Sequence, residues 1–217
     1  MRLALFDLDN TLLTGDSDFE WAQFLIEQNV LDREVYEARN REFYAQYRNG
    51  TLDIHAFLDF QLKPLSRHPR AQLDVWHREF MARKIAPLIT APARELIDPH
   101  RNDLCAIITA TNRFITAPIA REFGIDELIA TEAQAIDGEF NGKVEGVPCF
   151  REGKPVRLRQ WLAARGQTLE QFDESWFYSD SANDLPLLRA VSHPVAVNPD
   201  EALARYAAEH AWRTIRF

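Results

Sequence analysis

Arg2-Leu-Ala-Leu-Phe6 runs directly into Asp7-Leu-Asp9-Asn10-Thr11-Leu12, and the fold follows from how these residues are read. The apolar run is bounded by polar residues and made of strand-compatible side chains, so it predicts a short buried strand. Buried parallel strands keep their functional loops at their carboxyl ends. Two carboxylates two residues apart therefore stand where such a fold does its chemistry. Asp7 is expected as a nucleophile and Asp9 as a proton donor, and the rest of the chain has to supply their partners.

Beyond this strand the character of the sequence changes. Residues 17–85 read almost wholly as helix. Ser17-Asp-Phe-Glu20 has capping-box spacing, with Trp21, Phe24 and Leu25 on one face behind it. Asp32 is placed to cap a second helix that reaches Tyr47 and stops at Asn49-Gly50. A third covers Ile54 to Leu62, ahead of Pro64, and a fourth Arg70 to Lys84. Their aromatic residues read as the core of a small bundle.

From Pro87 onward helices and strands alternate. A helix begins near Thr90, and Leu104–Ile108 is a second buried strand. A helix runs from about Asn112 to Gly124, with Pro118 expected in its early turns. Leu128–Ala130 is a third strand, followed by a hairpin over 132–147 around Asp137-Gly138. Val156–Arg165 is helical, Ser175–Tyr178 a strand, Leu185–Ala190 a short helix and Pro194–Val197 a strand. A last helix follows Asp200, and Trp212–Phe217 is read as an edge strand. The predicted class is α/β: a Rossmann-like parallel sheet with helices on both faces, formed by 1–14 and 86–217. A small all-helical cap, 15–85, is inserted after the first strand.

Bulk properties narrow the function. The chain has 217 residues, 46% hydrophobic and 27% charged, with 33 acids against 25 bases and a net charge of −8. That balance argues against a general nucleic-acid or anionic-membrane surface. No apolar run approaches the ~20 residues that span a bilayer, and the N-terminus does not read as a signal peptide. Cys105 and Cys149 are too few for a disulfide framework and read as reduced thiols of a cytoplasmic protein.

Polar clusters recur at the carboxyl ends of predicted strands: Asp7/Asp9/Thr11, Thr109/Thr111, Asp180/Asn183/Asp184 and Asn198. In an open α/β sheet these ends share one crevice. Crowded carboxylates are costly without a cation, and hard oxygen donors suit Mg2+. Phosphoryl transfer uses such a site: a carboxylate attacks phosphorus, while a metal and a lysine hold the anionic group. Lys154 opens a helix and is the preferred lysine, with Lys143 in the hairpin as its competitor. Thr109 can donate a hydroxyl hydrogen bond, and Asp9 can protonate the leaving alkoxide if its neighbours raise its pKa. Arg113, just after the second cluster, is a candidate substrate contact.

Asp7-Leu-Asp9-Asn-Thr11-Leu, Ile107-Ile-Thr109, the lone Lys154 and Tyr178-Ser-Asp180-Ser-Ala-Asn183-Asp184 appear in the order of the haloacid dehalogenase superfamily. With a helical insert between the first two motifs, the chain resembles the phosphoserine-phosphatase-like branch over nearly its whole length. The resemblance implies an aspartyl-phosphate on Asp7 and a Mg2+ ion bound by Asp7, the Asp9 carbonyl and Asp180. Asp9 would serve as general acid and then base, with Thr109 and Lys154 on the phosphoryl group. Asn183 and Asp184 would support the metal and Thr11 would brace the loop.

Two departures matter. The glycine usual before the fourth motif's acids is Ser179. The cap stretch Leu52-Asp-Ile-His-Ala-Phe-Leu58-Asp59 lacks the arginine that takes the carboxylate of phosphoserine, while Asp16 matches an acidic substrate-binding position. The expectation is a small phosphomonoester other than phosphoserine, with histidinol phosphate as the family-neighbourhood candidate. A phosphotransferase or mutase on the same fold, and a phospho-receiver signalling module, stand as alternatives. The oligomeric state is not legible.

Overall fold

The computed structural model describes residues 1–217. Seven strands form one sheet: β1 (Arg2–Phe6), β2 (Leu104–Asn112), β3 (Leu128–Ile136), β4 (Glu139–Glu145), β5 (Glu174–Ser179), β6 (His193–Val197) and β7 (Arg213–Ile215). Their spatial order is β4-β3-β2-β1-β5-β6-β7. Every pairing is parallel except β3 with β4. The chain builds outward from β1 to one side and then crosses to its other side. Strand order therefore reverses at β1, and its carboxyl end faces the crevice that this reversal opens.

Nine helices complete the fold: α1 (Ser17–Glu27), α2 (Arg33–Arg48), α3 (Ile54–Leu62), α4 (Arg70–Phe80), α5 (Ala91–Ile97), α6 (Arg113–Glu122), α7 (Gly153–Ala163), α8 (Leu185–Leu188) and α9 (Glu201–Glu209). Alternation along β1 divides the core. Leu3 and Leu5 meet α7, α8 and α9 through Leu158, Leu162, Leu187 and Leu203. Ala4 and Phe6 face the opposite layer, where Ala93, Ile115 and Ile119 pack from α5 and α6. This is the period-2 pattern of a strand covered on both sides.

The second layer continues into the insert. Trp21, Phe24 and Phe80 belong to the same apolar cluster as Phe6 and Ile115. Trp21 meets Phe114 edge-on, with ring centroids 5.6 Å apart. Helices α2 and α3 form a further aromatic contact, Phe43 against Phe57. The hairpin touches the insert as well: Lys143 pairs with Asp59 at 3.1 Å, and the Arg70 amide donates to Glu139 at 2.7 Å.

Several local expectations shift. The cap of α1 is Asp16, which accepts from the Asp18 and Phe19 amides, rather than Ser17. Ser17 is thereby freed for another partner. The fourth helix ends at Phe80 and continues as one π-helical turn, Met81–Ile85. Pro118 lies inside α6 rather than in its early turns. Its missing N–H leaves the carbonyl of Phe114 without an intrahelical donor. β2 runs four residues beyond its expected end: Thr109 pairs with Ala130, but Asn112 pairs with Thr131. Ala110 and Thr111 are the surplus, so the strand bulges at its carboxyl end.

Candidate active site

The parallel registers level the ends of three strands, with Phe6 opposite both Ile107 and Tyr178. The Asp7 amide extends the ladder by one step, donating to the Tyr178 carbonyl at 2.9 Å. The chain then turns sharply: the Leu12 and Leu13 amides both return to the Leu8 carbonyl. Asn10 takes a φ of +59° in this turn, a conformation that asparagine tolerates better than most residues.

Asp7 and Asp9 receive different partners. Lys154 Nζ donates to Asp7 Oδ1 at 2.9 Å and to Asp184 Oδ2 at 2.6 Å. Ser179 Oγ donates to the same Asp184 oxygen at 2.7 Å, so the serine that departs from the family pattern braces the lysine's anchor. Thr11 Oγ1 donates to Asp180 Oδ1 at 3.0 Å. Asp9 meets only neutral donors: the Ser17 amide on Oδ1 at 2.7 Å and the Thr111 hydroxyl on Oδ2 at 2.8 Å. An amide can only donate, whereas a hydroxyl can rotate and accept. Oδ2 is therefore the Asp9 oxygen able to carry a proton.

The electrostatics follow from burial. Asp7 is 7% exposed and Lys154 2%. Loss of water pushes the Asp7 carboxyl well above its ordinary range; Lys154 pulls it down, and the charges of Asp184 and Asp180 push it up again. Asp180 is pushed up to about 7 by burial and by Asp184. Burial also raises Asp9, against the hydrogen bonds from Ser17 and Thr111. Lys154 is held above its usual range because Asp184 and Asp7 outweigh the burial that disfavours its charge. One lysine thus undercompensates this group of carboxylates. Oxygen donors short of positive charge are the donor set a divalent cation suits. The acidic side chains do not by themselves converge as a three-ligand cluster, so main-chain and water oxygens would have to complete the shell.

A cavity of about 140 Å³ opens over these groups, with Asp7, Asp9, Thr109, Lys154 and Asp184 at its core end and α1, α2 and α3 supplying the opposite wall. Thr109 is 1% exposed, and its Oγ accepts the Thr111 amide at 3.2 Å. Asp16 stands on the insert wall as the cap of α1. Asn183 is held by Arg151 Nε at 2.9 Å and reaches the Tyr47 carbonyl at 3.3 Å, so its amide joins the insert to the core. Arg113 is the correction among the candidates. Its guanidinium is taken by Glu132 at 2.9 Å and the Leu128 carbonyl at 2.8 Å, outside the cavity lining. Lys143 is on the hairpin surface, paired with Asp59.

The sequence profile of the haloacid dehalogenase-like hydrolases matches residues 4–189, which include every one of these groups. The chain belongs to that family. Among proteins similar to this haloacid dehalogenase-like hydrolase is a histidinol-phosphatase of Neisseria meningitidis serogroup C (strain 8013). It is 48% identical, over 100% of this chain and 99% of its own length. A crystal structure of a Bordetella pertussis Tohama I protein of unknown function superposes with a TM-score of 0.93 at 47% identity, covering 99% of this chain and 97% of that one. A phospho-aspartyl intermediate analogue of a phosphoserine phosphatase shares the fold, with a TM-score of 0.69 at 21% identity over 98% and 92% of the two chains. The family and its named phosphatases make this haloacid dehalogenase-like hydrolase a phosphoric monoester hydrolase. No helix is long and apolar enough to cross a membrane.

Two groups that donate to Asp9 in this haloacid dehalogenase-like hydrolase, Ser17 and Thr111, have no sequence pattern that ties them to it. Thr111 reaches Asp9 only because β2 bulges, and Ser17 does so only because Asp16 takes over the helix cap. Neither displacement has a local sequence signal. The contact of Tyr47 with Ser181 was also invisible, since 134 residues separate the two.

Proposed function

We propose that the chain hydrolyses a small phosphomonoester through an aspartyl-phosphate on Asp7, with Mg2+, and that the substrate is histidinol phosphate. The observation carrying the mechanism is the unequal treatment of two neighbouring carboxylates. Asp7 has a cationic donor, Lys154, that opposes the rise burial imposes on its carboxyl, while Asp9 lies on neutral donors that leave one oxygen protonatable. The substrate reading rests on the 48% identical histidinol-phosphatase and on the acidic Asp16 position.

In the first step an Asp7 oxygen attacks phosphorus and the ester P–O bond breaks. Asp9 gives its proton to the leaving alkoxide. In the second step Asp9 takes a proton from water, whose oxygen attacks the aspartyl-phosphate. The bond from phosphorus to Asp7 breaks, inorganic phosphate leaves and Asp9 is again protonated. Lys154 and Thr109 would hold the phosphoryl oxygens through both steps. Asp7, Asp180 and the Asp9 carbonyl would hold Mg2+, with Asp184 and Asn183 in support. When bound, the ion supplies positive charge against which two anions can approach.

Phosphate release from a panel of esters, with and without a chelator, tests this reading. Histidinol phosphate is expected as the preferred substrate, the chelator should abolish turnover, and Asp7→Asn should be inert. Undiminished turnover by Asp7→Asn would end the covalent mechanism, and chelator-insensitive turnover would end the metal assignment.

A further inference from the structure

The insert wall of the cavity carries a second charge problem that the reaction chemistry leaves unsolved. Five aspartates line the cavity, Asp7, Asp9, Asp16, Asp18 and Asp184, and Lys154 is the one cationic residue among them. Lys154 is bound to Asp7 and Asp184 at the core end. Asp18, on the first turn of α1, is 7% exposed and has a single side-chain partner, Gln61 Nε2, at 3.1 Å. No lysine or arginine neutralises it; the charges it feels are those of Asp16 and Asp9. A buried carboxylate in this setting is costly unless a cation arrives.

A second observation points to a ligand at the same wall. Asn40, on α2, also lines the cavity; it is 9% exposed and its amide nitrogen has no hydrogen-bond partner. Buried amides of native proteins are nearly always paired. The same lining carries aromatic residues, among them Phe43 and Phe57. The wall therefore offers a carboxyl group that an arriving cation would hold ionised, an idle donor and apolar surface.

We propose that Asp18, braced by Gln61, binds the ammonium group of the substrate, and that Asn40 hydrogen-bonds the unprotonated ring nitrogen of its head. The aromatic wall takes the ring faces. Gln61 is a positioning residue: it donates to Asp18 without adding charge, near the end of α3, the helix that begins inside the arginine-free stretch 52–59. The inference deepens the histidinol phosphate reading and rests on it. Phosphoserine is then disfavoured by its carboxylate: its ammonium could meet Asp18, but the carboxylate on the same carbon would lie among aspartates with no lysine or arginine on that wall to receive it.

The test compares kcat/KM for histidinol phosphate with that for p-nitrophenyl phosphate, which has no amine, in wild type, Asp18→Asn, Asn40→Ala and Gln61→Arg. Alongside it, calorimetric binding of histidinol, which needs no turnover, is measured to the same proteins. The selectivity ratio is expected to fall at least tenfold in Asp18→Asn and in Gln61→Arg, where the new cation neutralises Asp18. It should fall several-fold in Asn40→Ala, and histidinol binding should weaken in the same order. An unchanged ratio and unchanged histidinol binding in Asp18→Asn, with wild type still preferring histidinol phosphate, overturns this inference and leaves the substrate reading standing. A wild type that hydrolyses p-nitrophenyl phosphate but shows no preference for the amine-bearing ester overturns both. Gln61→Arg, which retains a donor toward Asp18, decides the matter if Asp18→Asn does not fold.

Discussion

The phenol of Tyr47, at the end of α2, donates to Ser181 Oγ at 2.8 Å and so ties the insert to the loop after β5. Burial holds the Tyr47 hydroxyl well above its ordinary titration range, so it remains a donor at any working pH. The contact lies beside Asn183, whose amide also reaches the Tyr47 carbonyl. Removing the phenol oxygen deletes one part-buried neutral hydrogen bond between the insert and the core, worth ~1 kcal/mol. Tyr47→Phe is therefore expected to raise KM about fivefold while altering kcat less, as read from steady-state kinetics. A variant indistinguishable from wild type would mean that this link does not hold the insert down.

Gly153 begins α7 one residue before Lys154. A Cβ at this position would lie 1.9 Å from the Pro148 carbonyl oxygen, a backbone atom that cannot rotate away. Gly153→Ala must therefore displace the start of the helix and carry Lys154 with it. Misplacement by about 1 Å costs ~100-fold in rate, so kcat/KM should fall by that order together with the melting temperature. Near-wild-type kinetics would show that Lys154 tolerates displacement.

His77 predicts how stability depends on pH. Its ring is buried against Trp21, Phe80 and Phe114, with Nε2 2.9 Å from the Ile115 carbonyl. Burial lowers its pKa below the ordinary value; the hydrogen bond and Asp74 oppose the shift, and Arg121 adds to it. The unfolded chain thus binds the proton first as pH falls. Stability from the neutral ring is full above an ordinary histidine pKa of about 6.5 and is lost as pH falls from there toward the folded value, by at most ~1.4 kcal/mol per pH unit. Chemical denaturation at pH 7.5 and 5.5 should show wild type losing more stability than His77→Gln. Parallel losses in the two proteins would mean that the buried ring does not set this dependence.

Arg113 offers the opposite kind of prediction. Its guanidinium serves Glu132 and the Leu128 carbonyl, and its side chain is 43% exposed. Arg113→Ala is expected to leave kcat/KM within about twofold and to cost no more than ~1 kcal/mol of stability, the usual scale for an exposed ion pair. A large rise in KM would return Arg113 to the substrate.

The strand-end half of the candidate site is legible because it is written in short-range patterns. The apolar run before Asp7, the lysine opening α7 and the acids after β5 each sit next to a strand or helix that announces itself. Parallel topology then brings distant strand ends together without further information. The insert wall of the candidate site is less legible because its contacts are side-chain choices between distant elements: Gln61 with Asp18 across 43 residues, Tyr47 with Ser181 across 134. Thr111 reads as a polar strand-end residue, but its bond to Asp9 depends on a bulge. Periodicity cannot reveal a bulge, since the surplus residues obey the same strand preferences as their neighbours. Arg113 was misplaced for a related reason: its position after the second motif is close to the site along the chain, yet its side chain turns to Glu132.

The apolar cluster that joins Phe6 to Trp21, Phe80 and Phe114 has a consequence for how this chain can change over generations. An insert attached only at its two ends could be exchanged whole for another. This one shares its interior with the sheet, so replacing it would strip Phe114 and Ile115 of their neighbours and leave greasy wall facing water. Novelty at the insert wall of the cavity is therefore easier to reach by single replacements on α1, α2 and α3 than by transplanting a foreign lid.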